Sequence, residues 1–474
     1  MEKNETVVAI ADALGSSGEG IVRLGGVTVF VPYLLPREKA KIKILKCKGN
    51  IAYGKIEEIL TPAEERDRPH CAVFSRCGGC QLQHMRYRVQ LKLKTSIVSD
   101  ALKKIGGIEF PVSPCVRSEN EYGYRNKLQL PIGRVNGENA VGFYAERSHR
   151  IVPTDECPIH PEWAGKLIAA VKNFMEKCGL DGYDDETGNG QLRHIVVREI
   201  RGKYIVTLVS TVPEIKGIDY FLYLLDGIFP EYSFYLNLND KKTNVIFGEQ
   251  FTLLKGKGFY DCTENGVTYE AGAQTFVQVN ASVRGKLYDR VVSLIEKDET
   301  VIDCFSGGGL LTAMLAKKCK KAYGIEIVPE ASRCAEAVAE RNGLSDKMTN
   351  ICGRVEDTLS DILAKEPNAT LVLDPPRAGV ERSVLKAILA YGAKKIIMVS
   401  CDPATLARDL GILTGSLVET EKGELVKSAS PDGKYTLTAV EPFDMFPQTK
   451  HVETLVVLSH KFKSVGAQNA RVGE

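Results

Sequence analysis

From Phe276 onward the sequence alternates short apolar runs with longer amphipathic ones, and this pattern restricts the fold more than any other feature. The helical segment VNASVRGKLYDRVVSLIE precedes the strand TVIDCF, the helix LLTAMLAKKC and the strand KAYGIEIV. The helix PEASRCAEAVAERNG, strand MTNICGRV, helix EDTLSDILAKE and strand ATLVLDPP follow, and after them strand KKIIMVS and helix DPATLARDL. Strands that alternate with helices can bury both faces only in a parallel sheet covered on each side, so the segment is expected to be a doubly wound, Rossmann-like α/β domain. The last strands, within VKSASPDGKYTLTAVEPFDMFPQTKHVETLVVLSH, have no helix between them and predict an antiparallel hairpin at one sheet edge.

At 474 residues the chain exceeds one ordinary core. Residues 1–62 hold short period-2 segments (TVVAIADAL, GIVRLGGVTVFVP, KAKIKILKC, NIAYGKIEEIL) cut by glycine and proline, which predict a small β-barrel. Residues 63–275 begin with a cysteine block and a basic amphipathic helix, QLQHMRYRVQLKLKTSIVSDALKKIGG, then mix strands with two helices as an α+β domain; residues 276–474 complete the chain. The N-terminus lacks an apolar leader and runs such as KIIMV are too short to span a bilayer, so a reducing cytoplasm and no membrane are expected. There, 13 cysteines point to metal ligands or a reactive thiol rather than to disulfides.

The turn DCFSGGGLLTA follows a strand and opens a helix, so its glycines let a ligand approach the strand's carboxyl end. Glu326 ends the next strand, placed to reach ribose hydroxyls. A dinucleotide fingerprint is only partly met, because Thr312 stands at the third glycine position. Asp303 and Asp374 at the strand ends would repel a pyrophosphate and attract a cationic sulfonium, which favours S-adenosylmethionine.

Strand KKIIMVS leads into Cys401, followed by Asp402 as N-cap and Pro403 at the first helical position. A cysteine ending a buried strand ordinarily serves as a small hydrophobe. Yet methylation of a pyrimidine carbon requires such a thiol: sulfur adds to uracil C6, C5 gains electron density, and a base then removes the C5 proton. Glu453, in the otherwise apolar HVETLVVL, suits that base; its bland reading is an edge-strand charge. Asp374-Pro375-Pro376 resembles the acid-Pro-Pro of amino-group methyltransferases, but Arg377 stands where an aromatic residue would stack on the amino-bearing ring.

Cys71, Cys77 and Cys80 form C-x5-C-x2-C, and one distant cysteine would complete four thiolates, suiting zinc or an iron–sulfur cluster equally. His70, His84 and His160 keep a mixed zinc site open, whereas Gly78 and Gly79 allow backbone N–H groups to approach sulfur. The C-x3-C-x2-C spacing of radical enzymes is missing. Seven basic residues and one acid lie between Arg37 and Lys55, and six basic residues and one acid between His84 and Lys104. Each run alone reads as a solvated face; flanking one cysteine block, they form an electrostatic footprint for phosphates.

The block C-x5-C-G-G-C-x2-Q-H, then AQTFVQVN, DCFSGGG, LDPPRAG, VSCDPATLARDL and HVET, resembles in order the bacterial RNA uracil-5-methyltransferases, specifically the 23S ribosomal RNA members with an iron–sulfur cluster. The resemblance spans essentially the whole chain and makes the N-terminal barrel similar to the RNA-binding TRAM domain. It implies Cys401 as nucleophile and Glu453 as base. Gln278, Phe305, Glu326 and Asp374 would contact S-adenosylmethionine, and Cys71, Cys77, Cys80 and Cys157 would hold a [4Fe-4S] cluster. Leu310 stands where related enzymes often carry asparagine, so one cofactor contact is expected to be absent. The implied substrate is a uridine of 23S rRNA, extruded from its helix because stacking shields C6, with Arg86, Arg88, Arg125 and Lys127 as RNA contacts. Nothing in the sequence demands a second subunit, so a monomer is expected. The rivals are a transfer-RNA enzyme of the same family, an amino-group RNA methyltransferase built on Asp374, and an RNA-binding protein with a degenerate cofactor site.

Overall fold

The computed structural model describes residues 1–275 and 277–461; Phe276 of the AQTFVQVN motif lies outside the described residues. The chain divides into two compact units, one built from Met1–Leu93, Asn120–Gly258 and Phe446–Lys450, the other from Lys94–Glu119, Phe259–Met445 and the segment from His451.

The second unit carries the alternating pattern. Its strands β1 (Thr300–Cys304), β2 (Lys321–Glu326), β3 (Met348–Cys352), β4 (Thr370–Leu373), β5 (Lys395–Ser400), β6 (Tyr435–Phe443) and β7 (Glu453–His460) form one sheet in the order β3-β2-β1-β4-β5-β7-β6. The first five are parallel to one another; β7 is antiparallel to both β5 and β6. Helices α1 (Leu310–Lys318), α2 (Pro329–Arg341), α3 (Val355–Lys365) and α4 (Arg382–Tyr391) connect the parallel strands, and α5 (Pro403–Thr414) follows the last of them. Leu371, Leu373, Ile396, Ile397, Met398, Leu455 and Leu458 are wholly buried, which is why these strands read as unbroken apolar runs. The predicted doubly wound sheet and its antiparallel edge pair are both present. The strand order reverses between β1 and β4, so the crevice at their carboxyl ends is where an open α/β sheet takes its ligand.

The first unit contains two sheets. Six strands from Thr6 to Thr61 pair in one sheet whose inner face buries Val22, Val29, Ala40, Ile42, Ile44 and Ala52. Along Lys39–Lys48 the alternation turns Ala40, Ile42 and Ile44 inward and leaves Lys39 and Lys41 exposed. Seven strands between Lys127 and Lys255 make the other sheet, covered by helices Trp163–Cys178 and Ile218–Asp226. The cysteine block sits in irregular chain between the two. The basic helix expected from Gln81 begins at Tyr87, because the N–H groups of Gln81 and Leu82 donate instead to the Gln448 carbonyl, at 3.1 and 3.0 Å. It ends in a π-helical turn, Leu102–Gly106, closed by Gly107 at φ 67°.

Candidate functional site

The turn after β1 is a backbone device. Phe305 (φ 68°), Gly307 (φ 55°) and Gly309 (φ 79°) all take left-handed conformations. A Cβ on Gly309 would stand 2.6 Å from that of Ala335, so only glycine lets α1 approach α2 this closely. Glu326 at the end of β2 accepts from Gly307 N–H at 2.9 Å and Val328 N–H at 2.8 Å, tying the glycine turn to the next strand end. Thr312, the residue that breaks the dinucleotide fingerprint, donates its hydroxyl to Asp303 at 2.5 Å. Burial lifts the Asp303 carboxyl to about 7 despite that bond, with the charges of Asp374 and Glu326 adding to the rise. Asp374, just beyond β4, is likewise pushed up to about 7 by burial. Three acids therefore converge at the crevice where the strand order reverses.

At the neighbouring strand ends, Cys401 follows β5 and Glu453 opens β7, one rung beyond the last pair, Ser400 with Thr454. Glu453 is not at an edge: β7 lies between β5 and β6, and the side chain is 3% exposed. Burial and the nearby Asp374 push its carboxyl up to about 8, while Arg377 pulls it down. Burial likewise raises the Cys401 thiol, and Glu453 and Asp374 add to the rise; the charge and hydrogen bond of Arg377 oppose it. These shifts bring Cys401, Glu453, Asp374 and Arg377 into one electrostatic group.

Helix α5 builds that group. Asp402 caps it through Ala404 and Thr405 N–H at 2.9 and 3.0 Å, which fixes Cys401 just ahead of the helix. The same helix grips the Asp374–Val380 loop: Thr405 donates to the Arg377 carbonyl at 3.2 Å, Arg408 to the Ala378 carbonyl at 3.0 Å, and Asp409 accepts from Val380 N–H at 2.8 Å. The VSCDPATLARDL and LDPPRAG motifs are thus two sides of one hydrogen-bonded assembly.

Three residues absent from the sequence reading belong here. Arg284 and Glu264 form a buried bidentate pair at 2.6–2.7 Å, and Arg284 also donates to the Gln278 carbonyl at 2.8 Å. The phenol of the half-buried Tyr288 senses Asp374, Asp303, Glu264 and Arg284 and has its ionisation strongly suppressed, chiefly by desolvation. Gln278 is itself 8% exposed. Arg284 and Glu264 lie 20 residues apart in sequence, on a helix and a hairpin, so no local spacing announces them.

Cys71, Cys77, Cys80 and Cys157 come together in the first unit, near enough to act on one another electrostatically, and Cys71, Cys80 and Cys157 pack with Phe74, Tyr124 and Ile159. Burial is the main cause that raises each thiol, Cys80 to about 11, and the Cys77, Cys80 and Cys157 thiols are raised further by the neighbouring cysteines. Gly79 N–H lies 3.4 Å from the Cys77 sulfur, and a Cβ on Gly78 would meet the Glu146 backbone at 2.8 Å. No group of three or more His, Cys, Asp and Glu among the described residues is set to hold a metal ion. His160 is bonded to the Lys127 carbonyl at 3.1 Å, and His70 stacks on Tyr122. Four clustered thiols, Cys80 buried and the other three half-buried, with an N–H donor at the Cys77 sulfur and the Arg125 charge beside Cys80, nevertheless suit an anionic thiolate cluster.

A family model described as tRNA (Uracil-5-)-methyltransferase matches residues 241–461, and a TRAM domain model matches residues 2–56. An uncharacterised RNA methyltransferase of Listeria monocytogenes is 37% identical over 467 residues, covering 97% of this chain and 98% of its own. One from Bacillus cereus is 36% identical over 469 residues, covering 97% of each. The crystal structure of Pyrococcus abyssi tRNA (uracil-54, C5)-methyltransferase in complex with S-adenosyl-L-homocysteine superposes with a TM-score of 0.72 at 24% identity. That likeness covers 95% of this chain and 100% of the Pyrococcus chain, and it concerns the fold.

Proposed function

The chain belongs to the tRNA (uracil-5-)-methyltransferase family of RNA methyltransferases, and from that premise we propose that it transfers the methyl group of S-adenosylmethionine to C5 of a uridine in 23S rRNA. The observation that carries the chemistry is the shared electrostatic group of Cys401, Glu453, Asp374 and Arg377.

The Cys401 thiolate attacks uracil C6, and the C5=C6 π pair moves toward C5 and O4 as an enolate. C5 then takes the sulfonium methyl, and the S–CH3 electrons leave on S-adenosylhomocysteine. Glu453 carboxylate removes the C5 proton, the C–H pair re-forms C5=C6, and the C6–S bond breaks to return the thiolate. Gln278, Phe305, Glu326 and Asp374 hold the cofactor, and the acidic crevice favours its positive sulfur over a pyrophosphate.

Cys71, Cys77, Cys80 and Cys157 would hold a [4Fe-4S] cluster. It would supply structural cross-linking of an RNA-binding module rather than redox chemistry. Residues 1–62, with Lys39 and Lys41 turned outward, serve as the RNA-binding TRAM part, residues 63–275 as the cluster-bearing part and residues 276–474 as the catalytic part. Thirteen free cysteines suit a reducing cytoplasm. No helix among the described residues is long and apolar enough to cross a membrane. The protein acts as a monomer, since nothing in the sequence demands a second subunit.

RNA containing 5-fluorouridine should trap the protein as a denaturation-resistant adduct at Cys401. Cys401→Ala should form none while still binding S-adenosylmethionine, and Glu453→Gln should accumulate adduct on ordinary RNA. Normal turnover by Cys401→Ala would refute the nucleophile. A second reading, methylation of tRNA, takes its support from the likeness to the Pyrococcus tRNA (uracil-54, C5)-methyltransferase. Mapping 5-methyluridine in 23S rRNA and tRNA of a strain lacking this protein decides between the two. Methylated adenosine or guanosine as the missing mark would instead favour an amino-group enzyme using Asp374.

A further inference from the structure

Between β6 and β7 the chain leaves the catalytic unit: Phe446–Lys450 belong to the cysteine-bearing unit. These five residues are tightly held. Gln448 donates its N–H to Gln90 Oε1 at 3.0 Å, and its side-chain Oε1 accepts from Gln90 Nε2 at 2.9 Å. The Gln448 carbonyl accepts from Gln81 and Leu82 N–H, while the Tyr124 hydroxyl donates to the Pro447 carbonyl at 3.0 Å. Lys450 N–H reaches Gln81 Oε1 at 3.3 Å, and Gln81 Nε2 bonds the Gly78 carbonyl at 2.9 Å. Gln81 directly follows Cys80, so this segment is hydrogen-bonded to the loop that carries two of the four clustered thiols.

Gln448 has φ 70° and is 1% exposed. A residue with a side chain keeps that conformation only where its surroundings over-determine it. Here two glutamine side chains and three backbone groups do so. The segment then runs, through His451 and Val452, straight into Glu453. Before it, Asp444 is fixed by a wholly buried ion pair with Lys94 at 2.5 Å. Glu453 pairs with Phe443 of β6 but stands one rung beyond the last β5–β7 pair, so the sheet holds it on one side only and on the β5 side the entering chain sets its place.

We propose that Gln90 and Gln448 are positioning residues for Glu453: they fix the segment of chain that leads into it, and so bear on the proton-removal step rather than on the attack of Cys401. The proposal rests on the uracil-C5 reading given above. A merely structural anchor would reduce the amount of active enzyme and slow every step alike. A positioning strap should split the steps, because Cys401 is held separately by β5 and α5.

The test uses full-length protein, RNA with tritium at uridine C5, and S-adenosylmethionine labelled in its methyl group. In Gln90→Leu, methyl attachment should stay within about twofold of wild type while tritium release slows about tenfold or more. A methylated, denaturation-resistant complex should build up. Tyr124→Phe, which deletes one hydroxyl without changing shape, should show the same split more weakly, and it alone decides the matter if Gln90→Leu is not recovered folded. Equal slowing of both signals, or no change in either, overturns the proposal. The 5-fluorouridine trap on wild type separates the two levels of failure. Without a trapped adduct the uracil reading itself falls; with one and no split, only the positioning role falls.

Discussion

Arg377 and Glu453 act on the Cys401 thiol in opposite senses, and their balance sets how much thiolate is available. Burial and two neighbouring carboxyls raise the thiol, whereas Arg377 supplies charge and a hydrogen bond that favour the anion. Arg377→Gln should therefore move the pH midpoint of Cys401 alkylation upward, followed by mass spectrometry of the peptide containing that residue; an unmoved midpoint would refute the role. The crevice acids give a second pH effect. Asp303 and Asp374 are lifted from 3.8 to about 7, so the folded protein holds more protons than the unfolded chain in that interval. Their stabilising contribution is complete below about pH 4 and is lost as pH rises through about 7. A sulfonium bound beside them would offset that loss by pairing with the ionised carboxylates. The rise in melting temperature caused by S-adenosylmethionine should thus grow from pH 6 to pH 8, while that caused by neutral-sulfur S-adenosylhomocysteine stays nearly flat. Equal growth for the two ligands would remove the acids from the cofactor's sulfur. Cys401 was legible in the sequence because a strand end, a helix cap and a proline bracket it, and Asp374 because it stands between a strand end and two prolines. Tyr288 was not, since a tyrosine on an amphipathic helix carries no mark of the three acids it faces.

Among the elements, the buried Glu264–Arg284 pair has the clearest energetic role. Each charge is desolvated and compensated by the other, and Arg284 adds the bond that fixes the Gln278 carbonyl. Arg284→Met would leave Glu264 buried without a partner, a loss on the order of 3–5 kcal/mol. Denaturant unfolding should show that loss, and replacing both residues by apolar ones of similar volume should restore much of it; an unchanged midpoint in Arg284→Met would argue that water already screens the pair. Helix α5 was readable as an element from DPATLARDL, but not its second task of holding the Asp374–Val380 loop through Thr405, Arg408 and Asp409. Those contacts cross about 30 residues and leave only polar side chains on a helix as their trace. The final hairpin was legible from the missing helix. The insertion of β7 between β5 and β6 was not, because apolar alternation specifies burial and not strand order. That insertion is what moves Glu453 from the edge position its sequence suggests to the interior.

At the scale of the molecule, the four thiols draw on two segments, Cys71–Cys80 and Cys157, that meet only in the folded unit. The spacing of the first three was visible at once, and the fourth had to come from family likeness, since nothing around TDECPIHP distinguishes Cys157 from nine other cysteines elsewhere in the chain. Buried neutral thiols contribute little by themselves. As metal thiolates they would cross-link chain that has no regular secondary structure, and the binding energy would become folding energy for their own unit. Removing that contribution should therefore act selectively. Protein purified without oxygen should contain iron and a broad visible absorbance, both lost in Cys157→Ser. Melting of the variant should lower the transition of the cysteine-bearing unit, whose separate core includes Trp163 and is followed by its fluorescence. S-adenosylmethionine affinity, set by residues of the second unit, should stay within about twofold of wild type. A Cys157→Ser protein that keeps its iron would remove this residue from the cluster. A variant that loses iron and cofactor affinity together would mean that the thiol site supports the whole chain rather than the unit that carries it.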